Sequence, residues 1–387
     1  MTRARTLTLS LSPAASYADR WSQSAAPADD KPLGKMEYTA GSYYGGAEDE
    51  AKGIRTSEDA KHYWYSAKAE AFDNKGKDLV LSYTVKQTGD LDCGGSYIKL
   101  MPKDFDPAKF TNDSPYGIMF GPDQCGSTKR IHAIFTYKGK NLLKTSDISL
   151  DIYDKYSHTY TLVVKTDRTY EVFVDKESKA KGALADDWDF LKPKEVVDPA
   201  DTKPADWVES KQMDDPEDKK PEGYDDIPEK VADPEAKKPD DWDDEDDGEW
   251  EAPQITNKDF KGKWSAKQID NPAYKGPWVQ KKIANPEFAD DATMHEMEFG
   301  GVAFELWQVK AGTLFDNIYV GDSQEEAFAL APSAETLAAE KKMKEDADKV
   351  EADKKAAEDK VAADAKAAED KAKADAEPKK EETKDDL

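Results

Sequence analysis

The sequence predicts a mainly β protein: one sandwich-like domain, interrupted by a long extended proline-rich hairpin arm and followed by a charged tail that is helical or disordered. Three observations carry this. Alternating apolar residues, the signature of half-buried strands, recur on both sides of a central segment. That segment, residues 192–291, holds two sets of three short repeats rich in proline and aromatics. Beyond Thr336 the composition collapses to Ala, Lys, Glu and Asp.

Residues 1–18 place Arg3 and Arg5 ahead of a weakly apolar run and read as a weak signal peptide. Residues 19–191 read as the first part of the globular domain. Leu79, Leu81, Tyr83 and Val85 alternate, as do Ile131, Ala133, Phe135 and Tyr137. Tyr160, Leu162 and Val164 lead through a polar turn at 166–169 into Tyr170, Val172 and Val174, a hairpin pattern.

In the arm, 192–291, one triplet of units sets Gly248, Gly262 and Gly276 in register, with Trp250, Trp264 and Trp278, Ile255, Ile269 and Ile283, and Asn257, Asn271 and Asn285. Phe260, Tyr274 and Phe288 close the units. Upstream lie DPADTKPADW, DPEDKKPEGY and DPEAKKPDDW, starting at Asp198, Asp215 and Asp233. Such self-similarity means small units that cannot bury a core alone. Proline in every unit excludes helix and disfavours a wide sheet. The two triplets differ in spacing, so they cannot stack as one solenoid. A nested antiparallel hairpin remains, turning near residues 246–248. It pairs the Trp242 unit with the Trp250 unit, the Tyr224 unit with the Trp264 unit, and the Trp207 unit with the Trp278 unit.

Residues 292–335 return to the β pattern with Val302, Phe304 and Leu306 and then Leu314 to Val320, so they complete the first domain. From Asp322 onward the chain turns helical, and Ser323 with Glu326 matches a capping box. The tail, 336–387, is nearly charge-balanced; from Glu335 onward it has 18 acidic and 13 basic residues. It reads as an Ala-rich helix with i,i+4 pairs, or as disorder.

The net charge of −26 argues against a nucleic-acid partner, because phosphate binding needs a basic face. No run approaches the ~20 apolar residues of a membrane span. The chain shows no nucleophile elbow, P-loop or HExxH motif, and His62, His132, His158 and His295 show no catalytic partnering in sequence, which points away from an enzyme.

Three further segments are distinctive: Cys93-Gly-Gly-Ser-Tyr-Ile-Lys-Leu100, Tyr116-Gly-Ile-Met-Phe-Gly-Pro-Asp-Gln-Cys125 and Glu305-Leu-Trp-Gln-Val-Lys310. With the two arm triplets, in that order, they resemble the calreticulin/calnexin family of endoplasmic-reticulum lectin chaperones, over about 21–322. Three copies of each unit and the lack of an apolar span resemble its lumenal rather than its membrane-bound branch. The resemblance implies a legume-lectin-like jelly-roll sandwich that binds monoglucosylated N-glycans. It assigns carbohydrate contacts to Tyr97, Lys99, Tyr116, Met119, Asp123, Glu305 and Trp307. Tyrosine offers an apolar ring with a hydroxyl, and lysine and carboxylate fix sugar hydroxyls. Glu305 stands where the family has aspartate, and Trp307 either stacks on the glycan or fills core. Cys93 and Cys125, the two cysteines, form one disulfide at the ends of the glycan strands.

The resemblance also assigns one high-affinity Ca²⁺ to Asp316, with carbonyls from Glu50 and Lys52. A further carbonyl would come from a preceding strand that the sequence does not show. At the arm tip it implies binding of a protein disulfide isomerase and prolyl isomerases through Glu245, Asp247, Glu249 and Trp250. The C-terminal KDDL resembles a lumenal retrieval signal and Asn112 heads a glycosylation sequon. The chain is expected as a monomer in the endoplasmic-reticulum lumen. The rivals are a calcium-buffering storage protein without lectin activity and a secreted lectin.

Overall fold

The computed structural model describes residues 7–9, 20–25, 31–150, 152, 154–242 and 248–376. The chain divides into two compact units, Met1–Lys192 with Ala289–Leu387, and Pro193–Phe288.

The first unit is two antiparallel sheets packed face to face. Among the described residues one sheet has eight strands, in the order Glu177–Ala183, Thr169–Val174, Ser157–Val164, Leu79–Gln87, Thr313–Gly321, Gly53–Thr56, Met36–Thr39, with Leu7–Leu9 added beside Ile318–Val320. The other has nine, in the order Lys140–Leu142, Thr128–Tyr137, Ile118–Cys125, Cys93–Gly95, Glu298–Gln308, Lys61–Asp73, Ser22–Gln23. Ile148–Ser149 pairs with Thr128–Tyr137, and Ile98–Pro102 lies between Ile118–Cys125 and Glu298–Gln308. The strands that follow the arm are central in both sheets. Glu298–Gln308 enters one and Thr313–Gly321 the other, so the sandwich closes only when the chain has returned.

Side chains from the inner faces interlock in the core. Phe304 and Phe315 face each other across the sheets with ring centroids 4.3 Å apart, and Tyr83 meets Phe120 edge-on at 6.3 Å. Both the Leu79–Val85 and the Ile131–Tyr137 alternations lie in strands, and Tyr160–Val174 is an antiparallel hairpin. Leu79–Gln87 departs from simple alternation: all but its last residue are buried. Its second face is covered. The helix Gln324–Leu330 lays Ala327 and Phe328 over Val80, Val163, Phe173 and Tyr319. Ser323 caps that helix by accepting the Glu326 N–H.

The long helix Ala334–Ala376 is mostly exposed and carries the i,i+4 pairs Lys344–Asp348 and Lys354–Glu358. Its second and third turns are anchored on the sandwich. Glu340 is buried against Lys86 and Ser157, and Met343 accepts a hydrogen bond from the Tyr44 N–H.

The second unit is the nested hairpin. Glu195–Val197 pairs with Lys282–Ala284, Gln212–Asp214 with Gln268–Asp270, and Lys230–Ala232 with Gln254–Thr256. The isoleucines of the sequence repeat thus face one apolar partner each: Ile283 opposite Val196, Ile269 opposite Met213, Ile255 opposite Val231. Gly248, Gly262 and Gly276 have φ of 82°, 77° and 84°, a region where a side chain is strained, which accounts for a glycine in every unit. The Trp207 indole donates to the Gly276 carbonyl at 2.8 Å and packs edge-on against Trp278 with centroids 4.8 Å apart. Trp242 repeats this bond on the Gly248 carbonyl at 2.9 Å. Each repeated asparagine accepts from the N–H two residues on, a local turn that asparagine favours. Of the arm-tip residues, Glu245 and Asp247 lie outside the described residues, as do the KDDL terminus and most of 1–18.

Candidate functional site

The outward face of the nine-stranded sheet gathers the residues expected to touch carbohydrate. Strand alternation decides this. Ile98, Leu100, Ile118 and Phe120 point into the core, so Lys99 and Met119 point away from it. Lys99 lies opposite Met119 on one neighbour and opposite Ala303 on the other. Glu305, two residues beyond Ala303, therefore shares its face, and so does Trp307.

Lys99 is the hinge of the arrangement. It is 4% exposed, its Nζ donates to Glu305 Oε2 at 2.9 Å, and it sits 4.7 Å from the centroid of the Tyr116 ring. A buried ammonium needs such compensation. The longer stem of Glu305 reaches this pair without difficulty. Tyr97 is half-buried, and burial, Glu305 and Asp123 together push its hydroxyl well above the ordinary tyrosine value. Tyr116 is raised by burial and by Glu305. Both phenols stay protonated and can donate to a sugar oxygen. Met119 gives an apolar floor, and Trp307 is 37% exposed, outside the core.

Two histidines escaped the sequence reading. His132 Nε2 lies 3.1 Å from Asp123 Oδ2, and its ring meets Tyr97 edge-on at 5.8 Å. It lies opposite Gly121 in the hairpin that carries Asp123, a register that the sequence alone does not set. His62 stands opposite Trp307 with ring centroids 4.7 Å apart.

Backbone geometry fixes this face. Cys93 and Cys125 are register partners and are joined by a disulfide. Gly121 has φ of 128°, and a Cβ there would collide with the Tyr83 hydroxyl, which lies 2.8 Å and 3.0 Å from the Ser96 and Phe120 carbonyl oxygens. That buried tyrosine ties the strands around Ser96 and Phe120 to the opposite sheet.

Asp316 is on the other sheet. It sits where the pairing with Leu79–Gln87 shifts register, and Asn317 beside it adopts φ of 52°. Such a bulge re-aims a side chain. Asp316 lines a cavity of about 200 Å³ with Glu50, Thr84, Lys86, Asn317 and Glu340. Lys52 is not among the lining residues; its Nζ donates to Asp49 at 2.5 Å. Burial raises the Asp316 carboxyl to about 7, opposed by the Asn317 N–H and the Lys86 charge. A carboxylate so short of compensation, beside the backbone of a turn at Glu48–Ala51, fits an oxygen-seeking cation. Among the described residues no cluster of three His, Cys, Asp or Glu side chains could hold a metal, so most donors at Asp316 would have to be carbonyls, hydroxyls, amides or water.

The Calreticulin family model covers residues 11–247 and 246–320. The chain belongs to the calreticulin family.

It is 50% identical over 342 residues to a calreticulin of Dictyostelium discoideum, covering 88% of this chain and 80% of the relative. It is 56% identical over 342 residues to one of Euglena gracilis, covering 87% of this chain and 82% of that relative. Among solved structures it resembles the T. cruzi calreticulin globular domain, with a TM-score of 0.59, 31% identity, and coverage of 87% of this chain and 95% of that one. The solved neighbour matches the sandwich fold, and the family model spans the repeat segment in sequence. No helix among the described residues is long and apolar enough to cross a membrane.

Proposed function

We propose that the protein is a calcium-binding lectin chaperone of the endoplasmic-reticulum lumen. It binds monoglucosylated N-glycans of folding glycoproteins as a monomer, and acts by binding rather than by catalysis. The observation that carries this is the cluster on the outward sheet face: Lys99 held between Glu305 and Tyr116, with Tyr97 and Asp123 alongside. A glycan presents hydroxyls and apolar C–H faces together. Two protonated phenols, an ammonium and carboxylates meet the former, while Met119 and the exposed Trp307 meet the latter. The disulfide supports the lumenal assignment.

The arm recruits a disulfide isomerase and prolyl isomerases through its tip, Glu245, Asp247, Glu249 and Trp250. Glu249 is exposed and Trp250 half-buried. Acidic residues around one tryptophan suit a basic partner groove.

Asp316 holds the single high-affinity Ca²⁺, with carbonyl donors from the turn around Glu50 and Lys52. Ca²⁺ would supply a fixed positive charge that neutralises the half-buried carboxylate. The tail adds little, because its lysines interleave with its acids and leave little local negative potential. Weaker binding belongs mainly to the arm, which has 29 acidic and 16 basic residues over 192–291. A chain ending at Lys355 keeps the anchored turns and is expected to retain most of the calcium bound at equilibrium. Loss of most of it would make the tail a storage element.

Calorimetry with a glucose-capped and an uncapped high-mannose oligosaccharide tests the lectin reading. The capped form is expected to bind, and Tyr97→Ala and Asp123→Ala each to weaken it by ~1–3 kcal/mol. Unchanged affinity in both variants would remove the site.

A further inference from the structure

The cavity at Asp316 has a wall from the far end of the chain. Pro332, Thr336 and Glu340 line it with Asp316, Asn317 and Lys86. Thr336 packs its carbonyl against the backbone of Gly45, leaving no room for a side chain there. Glu340 is the residue of interest. It lies on an otherwise solvated Ala/Lys/Glu/Asp helix, yet it is 3% exposed. Its carboxylate accepts from the Ser157 N–H at 2.8 Å and from Ser157 Oγ at 2.7 Å, and stands 3.7 Å from Lys86 Nζ. Lys86 is 2% exposed and donates to the Tyr43 carbonyl at 2.6 Å, with its ammonium 4.9 Å from the Tyr43 ring.

A buried charge is tolerated only with a partner, and removing one member of a buried pair leaves the other uncompensated. Lys86 serves two carboxylates at once, Glu340 directly and Asp316 through the cavity. With all three ionised the trio carries one net negative charge, and Glu50 on the cavity wall adds another. Without Glu340 the trio carries none, and a cation arriving at Asp316 would meet Lys86 with one carboxylate fewer to offset it.

We propose that Glu340 is a positioning residue for the cation site at Asp316. It holds Lys86 and makes the cavity more negative, so that cation binding at Asp316 and docking of the first turns of the Ala334–Ala376 helix strengthen each other. The proposal rests on the calcium reading of Asp316 given above. The coupling is reciprocal, as linkage requires: an occupied site tightens the helix, and a docked helix tightens the site.

The test uses the full chain, Ca²⁺ alone as probe, titration calorimetry, and hydrogen exchange over residues 334–343. Asp316→Ala first identifies the heat that belongs to this site. Glu340→Gln, which keeps shape and removes charge, is expected to weaken that site by about tenfold, within the usual range of coupling between sites. It should also abolish calcium-induced protection of 334–343. Adding Lys86→Gln to Glu340→Gln restores one net negative charge and should return most of the affinity. A double variant as weak as Glu340→Gln would mean that Glu340 acts by packing alone, which overturns the proposal. So would an Asp316-dependent site indifferent to Glu340→Gln, with the calcium reading left standing. Calcium binding indifferent to Asp316→Ala would instead refute that reading, and the proposal with it.

Discussion

The sandwich and the arm reach order by opposite routes. In the sandwich, strands distant in sequence share one core: Tyr63, Tyr83, Phe120, Phe304 and Phe315 are fully buried in a single cluster. Among the described residues of the arm none is buried, and even the paired isoleucines Ile255, Ile269 and Ile283 remain 38%, 37% and 41% exposed. Order there comes from three-residue strand pairs, left-handed glycines and side chain-to-backbone bonds, renewed in each unit. A shared core predicts one cooperative transition. A row of small units predicts stability that is nearly a sum of local terms. The sandwich can therefore support a precise binding face, while the arm can lengthen or shorten by whole units.

The largest test of that contrast is a pair of truncations. Phe304→Ala empties the centre of the core and is expected to cost about 3–5 kcal/mol of sandwich stability. Trp278→Ala, in the arm, should leave the main thermal transition in place and speed hydrogen exchange only in the neighbouring Val196–Ile283 pair. A shift of the main transition by Trp278→Ala would show that the two regions melt as one.

Next comes the disulfide. Cys93 and Cys125 are 32 residues apart, and the loop they close lies within the sandwich. Replacing both with alanine should destabilise the sandwich by about 3–4 kcal/mol on chain-entropy grounds, without altering exchange in the arm. Denaturant titration followed by exchange measurements separates the two effects.

A smaller effect distinguishes the regions by pH. Burial disfavours a charged His158, but hydrogen bonds to Asp175 at 2.6 Å and Asp154 at 2.7 Å outweigh it and raise its pKa. A raised folded-state value means stability that is fully present below the unfolded pKa of about 6.5 and lost as pH rises through the folded one. The sandwich should therefore lose some stability from pH 6 to pH 8, and His158→Gln should flatten the slope. Residues 193–288 contain no histidine, so local opening in the arm should not change over that window. Equal slopes in wild type and His158→Gln would contradict this.

The same contrast explains what the sequence revealed. The arm was legible almost completely, because its pairing is encoded locally: glycine, asparagine, isoleucine and tryptophan recur at fixed offsets, and the nested register follows from their order. The strands of the sandwich were legible one by one, through alternation at Leu79–Val85 and Tyr160–Val174. Their order was not, because placing Glu298–Gln308 and Thr313–Gly321 at the sheet centres depends on contacts across the whole arm insertion. The sheet face was legible where motifs run along one strand, as at Tyr97 with Lys99 and at Tyr116 to Asp123. His132 and His62 were missed because their places on that face come from cross-strand register. Glu340 resembles every other glutamate of the tail; only Lys86 and Ser157, the latter 183 residues away, make it a buried charge.

The proposed function turns on which surface meets the glycan. Amide chemical shifts of the full chain, recorded while a glucose-capped tetrasaccharide is titrated in, would test this most directly. The expected shifts lie at Tyr97 to Lys99, Tyr116 to Asp123, His132 and Glu305 to Trp307, with Val196, Met213 and Val231 of the arm unmoved. Saturable shifts confined to the eight-stranded sheet or to the arm would contradict it.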